Sequence, residues 1–172
     1  NDGGVFTDAT SAFGLAWTAP DTGFGVGMPD LDHDGRPDLF LANGGVMRPT
    51  QPDDPAAPYA LRNRAVLQDA AGGYAVVPAG AAGAEAAAVG PPGVSRGAAF
   101  GDVDGDGDID ILVAVKDDRP RLLRNDTPSR GGWIALRPVP RAGWPATIGA
   151  GVVLEAAGSP AHGRFARVRP HG

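Results

Sequence analysis

The sequence has no cysteine, which excludes a disulfide framework, a thiolate metal centre and a cysteine nucleophile, and leaves the redox compartment unspecified. It has almost no lysine. Lys116 stands alone among 15 basic residues, a skew that the base composition of a genome can explain. Glutamate is nearly missing as well: of 20 acidic residues only Glu85 and Glu155 are Glu, which leaves 20 − 2 = 18 Asp. Long apolar runs are missing too. The longest, residues 111–115, is far too short to cross a bilayer, and no basic start followed by an apolar stretch marks a secretory signal, so membrane insertion is not expected. The sequence opens at Asn1 and is expected to be a processed or excised piece of a longer protein.

What is abundant is glycine and proline, 27 and 17 of 172 residues, beside a hydrophobic content of 42%. Turn residues at that density with enough apolar side chains for a core point to a turn-rich β protein. The length suits one ordinary domain, or a few repeat units with part of a second domain. The formal charge is −5, but the acidity is local, because nine of the 18 Asp fall within residues 30–38 and 102–110. Such concentrated negative charge is the wrong sign for a phosphate backbone, so nucleic acid is not an expected partner.

Those two windows are one repeat. Asp30-Leu-Asp-His-Asp-Gly-Arg-Pro-Asp-Leu39 lies over Asp102-Val-Asp-Gly-Asp-Gly-Asp-Ile-Asp-Ile111 at an offset of 102 − 30 = 72 residues. The match continues on both sides. Phe24-Gly25-Val26-Gly27 faces Arg96-Gly97-Ala98-Ala99, and Leu39-Phe40-Leu41-Ala42 faces Ile111-Leu112-Val113-Ala114. Both flanks are β-prone, so each acidic segment is expected to be the loop of a hairpin. A second signature, Leu61-Arg62-Asn63 and Leu123-Arg124-Asn125, follows each loop, and Asn1-Asp2 resembles its tail; the surplus length of the first copy is expected to be a surface insertion at 48–58. Units of this size do not bury their sheet faces alone, so the segment is expected to need neighbours. Residues 79–89, rich in Ala but broken by Gly80 and Gly83, are expected to form a loop or a single helical turn. After Asn125 the acidic loops stop, and short strands are expected at 133–137, 151–155 and 164–169.

The loop pattern Asp-x-Asp-x-Asp-Gly-x-x-Asp suits a hard cation. Calcium takes about 6–8 oxygen ligands in a flexible shell, which alternate carboxylates on a tight turn can supply. The expected ligands are Asp30, Asp32, Asp34 and Asp38 in the first loop and Asp102, Asp104, Asp106 and Asp110 in the second, with the backbone carbonyl of Arg36 or Asp108 at position seven. Gly35 and Gly107 sit where the chain must reverse. An EF-hand is excluded by position twelve, Leu41 and Val113, where that motif needs a bidentate Glu, and by the β-prone flanks. Two calcium ions per chain are expected, in a structural role.

With the lead-ins Phe24-Gly25 and Ala99-Phe100-Gly101, the two loops resemble FG-GAP or VCBS repeats of β-propellers. The tail, Asn125, Trp133-Ile134-Ala135-Leu136-Arg137 and Ile148-Gly149-Ala150-Gly151-Val152, looks like the start of an ASPIC/UnbV module as found in cartilage-acidic-protein-like proteins, although Gly151 stands where that family commonly has Arg. The resemblance implies an all-β fold of about two propeller blades with calcium at the hairpin loops, over residues 1–126, and a partial β module over 127–172. It further implies an extracellular, periplasmic or cell-surface setting, a role in adhesion or protein interaction, and neighbouring propeller blades as partners.

Nothing marks an enzyme. The sequence has three histidines, of which His33 at position four is expected to point outward, exposed and idle. The serines carry no nucleophile motif, and no phosphate loop, dinucleotide fingerprint or zinc-helix motif occurs. Trp133 is expected in the core, while Trp17 and Trp144 leave open a calcium-dependent carbohydrate-binding module, or a non-catalytic part of a polysaccharide-processing enzyme, as the alternative to the scaffold.

Overall fold

The computed structural model describes residues 4–16, 22–47, 56–76, 90–127, 131–136 and 139. The chain separates into two compact units, Asn1–Gly132 and Trp133–Gly172, and every named element is a β-strand in the first. In chain order these are β1 Gly23–Gly27, β2 Leu39–Asn43, β3 Arg64–Gln68, β4 Tyr74–Val76, β5 Ser95–Gly101, β6 Asp110–Val115 and β7 Arg121–Leu123. Two antiparallel sheets result, in the orders β1-β2-β3-β4 and β5-β6-β7. Among the described residues no helix is long and apolar enough to cross a membrane.

The 72-residue repeat holds in the pairing. Val26 sits opposite Leu41 on β1 and β2, and Ala98 opposite Val113 on β5 and β6. Even the irregularity recurs: a register shift falls between Gly23 and Gly25, and again between Ser95 and Gly97. The extra residues at these two bulges are Phe24 and Arg96, and the Arg96 guanidinium lies over the Phe24 ring at 4.1 Å. The same side chain donates to the carbonyls of Gly44 and Gly45 at 3.1 and 2.9 Å, so it clamps the first sheet to the second.

The Leu-Arg-Asn signature is not in register between the copies. Leu39 pairs with Val66 and Ile111 with Leu123, so the third strands align Arg64 on Arg121 and Gln68 on Asn125. Leu61-Arg62-Asn63 therefore precedes its third strand, while Leu123-Arg124-Asn125 closes its own. The surplus of the first copy lies between its second and third strands, 20 residues at 44–63 against 5 at 116–120, a difference of 15. The two asparagines do different work. Asn63 Oδ1 accepts from Asn43 N at 3.0 Å and from Ser95 Oγ at 2.9 Å, joining the sheets at the ends away from the acidic loops.

The core lies between the sheets. Phe40, Ala42 and Ala65 from the first meet Ile111 and Val113 from the second, all buried, with Phe100, Leu67 and Leu123 partly buried around them. Phe40 and Phe100 pack edge to face with centroids 6.0 Å apart. β1 comes against β5 so closely that glycine is required: a Cβ on Gly25 would stand 2.5 Å from Ala98 N, and one on Gly27 would enter the Phe100 ring.

In the second unit the strand expected at 133–137 is not formed over its described part, 133–136. Trp133 is 54% exposed rather than in a core. Alternating apolar residues need a partner strand to close their hydrogen bonds, and no described strand pairs with them. The expectations for 151–155, 164–169 and 79–89, most of the insertion at 48–58, and Trp17 and Trp144 fall outside the described residues.

Candidate metal centre

The acidic segments are the β1–β2 and β5–β6 loops, at the same end of the two stacked sheets. Each is wound by the same device. Positions four and six take positive φ, at His33 (54°) and Gly35 (82°) in the first loop and at Gly105 (81°) and Gly107 (96°) in the second. Left-handed residues so close together turn successive N–H groups inward, towards the first aspartate. Asp30 accepts from Asp34 N at 3.1 Å and Gly35 N at 2.8 Å; Asp102 accepts from Gly105 N at 2.7 Å and Gly107 N at 3.1 Å. At position five, Asp34 accepts from Arg36 N at 2.8 Å and Asp106 from Asp108 N at 2.9 Å.

The aspartate at position nine ties each loop to its sheet. Asp38 accepts from Leu31 N at 2.7 Å and Gln68 N at 2.9 Å, and Asp110 accepts from Val103 N and Asn125 N, each at 2.9 Å. Both carboxyls are buried, at 0% and 2% exposure. Burial pushes the Asp38 carboxyl up to about 6; the amides of Gln68 and Leu31 oppose this, and the charges of Asp32 and Asp30 add to it.

Three carboxylates converge in each loop. Oxygens of Asp30, Asp32 and Asp38 lie within 4.8 Å of one another in the first, largely buried loop; those of Asp102, Asp104 and Asp106 do so in the second, where all three residues are exposed. The sets are not equivalent, for the first uses position nine and the second position five. Of the remaining expected ligands, Asp34 is drawn aside into an ion pair with Arg36, whose Nε also donates to the Gln68 carbonyl at 3.0 Å. Asp110 makes the same pair of amide contacts as Asp38 but lies outside the converging set. Asp108, expected to offer its backbone carbonyl, has its carboxylate 3.1 Å from His33 Nε2 of the other loop. Burial raises the Asp108 pKa; the His33 contact opposes the shift, and the neighbouring Asp106, Asp110 and Asp102 reinforce it.

His33 is therefore neither exposed nor idle. Its side chain is 7% exposed and bridges the two loops, because the left-handed backbone at position four turns it towards the neighbouring hairpin and not into solvent. A second link runs through Asn125, whose Nδ2 donates to the Leu31 carbonyl at 2.9 Å while its own N–H binds Asp110. Since Leu31 N in turn binds Asp38, one chain of hydrogen bonds connects the two buried aspartates. The sequence marks Asn125 by its signature without indicating this role, and Leu31 and Gln68 carry no sequence signal, since they act through backbone amides.

All the converging donors are carboxylate oxygens, with no sulfur and no imidazole among them. That donor set fits a hard cation such as calcium or magnesium and disfavours zinc or copper. No family model, curated protein or solved structure matches this chain.

Proposed function

We propose that this chain is a calcium-binding, non-enzymatic repeat segment whose metal ions stiffen adjacent hairpins of an extracellular adhesion or protein-interaction scaffold. The observation that carries this reading is the pair of carboxylate triplets, each within 4.8 Å, on neighbouring hairpins of one repeat. Ionised carboxylates at that spacing repel one another unless a cation lies between them or the loop opens. Calcium is favoured over magnesium because the two triplets draw on different loop positions, an irregularity that the variable calcium shell accepts, whereas magnesium demands near-octahedral order. Asp30, Asp32 and Asp38 would hold one ion and Asp102, Asp104 and Asp106 the other, and two ions move the formal charge from −5 to −5 + 4 = −1.

An extracellular setting suits such sites. A site with one exposed triplet is weak, and millimolar extracellular calcium would keep it filled. The resemblance of the loops to FG-GAP and VCBS propeller repeats, and of the tail to an ASPIC/UnbV module, supports the same placement and the scaffold role. Thermal melting with calcium and with EDTA tests the proposal. Calcium should raise Tm by several degrees, following RT ln(1 + [L]/Kd), and identical melting curves would remove it.

A further inference from the structure

We propose that the Asp104-Gly105 peptide is a site of spontaneous modification, isomerising through a cyclic imide to a β-linked isoaspartate that takes Asp104 out of its carboxylate triplet. The chemistry is local. In an Asp-Gly pair the glycine nitrogen attacks the preceding side-chain carboxyl carbon; a C–N bond forms, and the amide hydrogen leaves with the carboxyl OH as water. Water then opens the ring at either carbonyl, giving back aspartate or joining the chain through the former side chain. One water is lost and one regained, and nothing is oxidised or reduced. Glycine favours the step because no Cβ crowds its nitrogen or stiffens its backbone. Among the described residues the sequence opens this step at four places: Asp34-Gly35, Asp104-Gly105, Asp106-Gly107 and, as the amide analogue, Asn43-Gly44.

Their surroundings differ. Asn43 is fully buried, its Nδ2 donates to the Arg62 carbonyl at 3.1 Å, and Gly44 N donates to the Thr22 carbonyl at 3.0 Å. Gly44 is so enclosed that an added Cβ would stand 2.4 Å from Arg96 Nη1. The Asp34 side chain, 7% exposed, is paired with Arg36, which is itself anchored to the Gln68 carbonyl. Neither residue can swing its side-chain carbon onto the next nitrogen while these contacts last. Asp104 is under no such restraint. Its side chain is 38% exposed, it accepts no described hydrogen bond, and its one described ion pair is a loose contact at 3.7 Å with the exposed Arg124. A Cβ added to Gly105 would meet nothing within 4 Å. Asp106 is intermediate, exposed but with its carboxylate accepting from Asp108 N at 2.9 Å. Reactions that need local opening follow the segment with the fewest contacts. The β-linked product adds a carbon to the main chain and shortens the side chain by the same carbon. The Asp104 oxygens then no longer stand within 4.8 Å of those of Asp102 and Asp106, so the exposed triplet is lost before the buried one.

Peptide mapping by mass spectrometry tests this. The chain is aged in EDTA, below its melting transition, in water enriched in heavy oxygen, so that each ring opening leaves one heavy atom at the residue that reacted. Label should accumulate first at Asp104 and then at Asp106, with Asp34 and Asn43 unlabelled over the same period. In urea the order should change, Asn43 leading and Asp34 drawing level with Asp104. Gly105→His places there the residue that the first loop carries at the same position with positive φ, His33. It should suppress labelling at Asp104 and leave that at Asp106. Label at Asp34 or Asn43 ahead of Asp104 in the folded chain overturns the proposal, as does a folded chain that takes up none at Asp104.

Discussion

At position seven of the first loop stands Arg36, and at the same position of the second stands Asp108. From that one difference much of the contrast between the repeats follows. The first loop, with four Asp and an internal guanidinium, is partly neutralised, draws Asp34 out of the cluster and recruits the buried Asp38 instead. The second has five Asp and no internal cation; it keeps its triplet at the surface and passes Asp108 to His33 of its neighbour. The sheets differ in parallel, one face being covered in the first repeat and open in the second. Identical spacing in a sequence thus fixes the turn, while neighbours decide which carboxylates converge.

The largest expected effect separates the two sheets. Phe40→Ala should cost about 3–5 kcal/mol, as for a fully buried aromatic, whereas Leu112→Ala at the equivalent position should cost roughly 1 kcal/mol; urea denaturation of both variants measures the gap, and equal costs would deny the asymmetry. Next come the buried aspartates. Asp38→Ala and Asp110→Ala each strand two backbone amides, so each should cost about 2–4 kcal/mol, and a much smaller loss at Asp110 would mean that its loop is not anchored as described.

A pH series in chelator sharpens the comparison further. Because the Asp38 pKa is raised to about 6 from 3.8, the folded state holds more protons than the unfolded one between those values. Its contribution therefore makes stability fall as pH rises from about 4 through 6. Asp38→Asn should flatten that part of the urea-midpoint profile, although the variant is less stable overall; an unchanged slope would show that Asp38 is not the titrating group. The smallest effect is expected at His33. Replacing it by Gly, which the second loop carries at Gly105, relieves a left-handed backbone worth roughly 1–2 kcal/mol and removes the partly buried contact between His33 and Asp108. Tm should move by only a few degrees, and a large loss would make the His33 to Asp108 contact the main joint between the loops.

Much of the fold was legible in the sequence because strands and turns follow local pattern. Alternation around residues 24–27 and 39–42, and its copy 72 residues on, sufficed to place four strands and two hairpin loops. The Leu-Arg-Asn match misled because three identical residues are a weaker constraint than the pleat. Strand register obeys the need of Asp38 and Asp110 for an amide at the end of the third strand, which Gln68 and Asn125 meet. At the site, all nine aspartates were foreseeable as a group, but their division was not. Whether a carboxylate faces a cation, a guanidinium or an amide depends on side chains brought in from other strands, such as His33 across from Asp108, and periodicity carries no record of that.

Calorimetric titration with calcium, on the wild type, on Asp30→Asn with Asp32→Asn, and on Asp102→Asn with Asp104→Asn, tests the central claim most directly. Two ions per wild-type chain and one for each double variant are expected, with the exposed second site the weaker. A wild-type chain that takes up no calcium, or double variants that still bind two ions, would contradict the account.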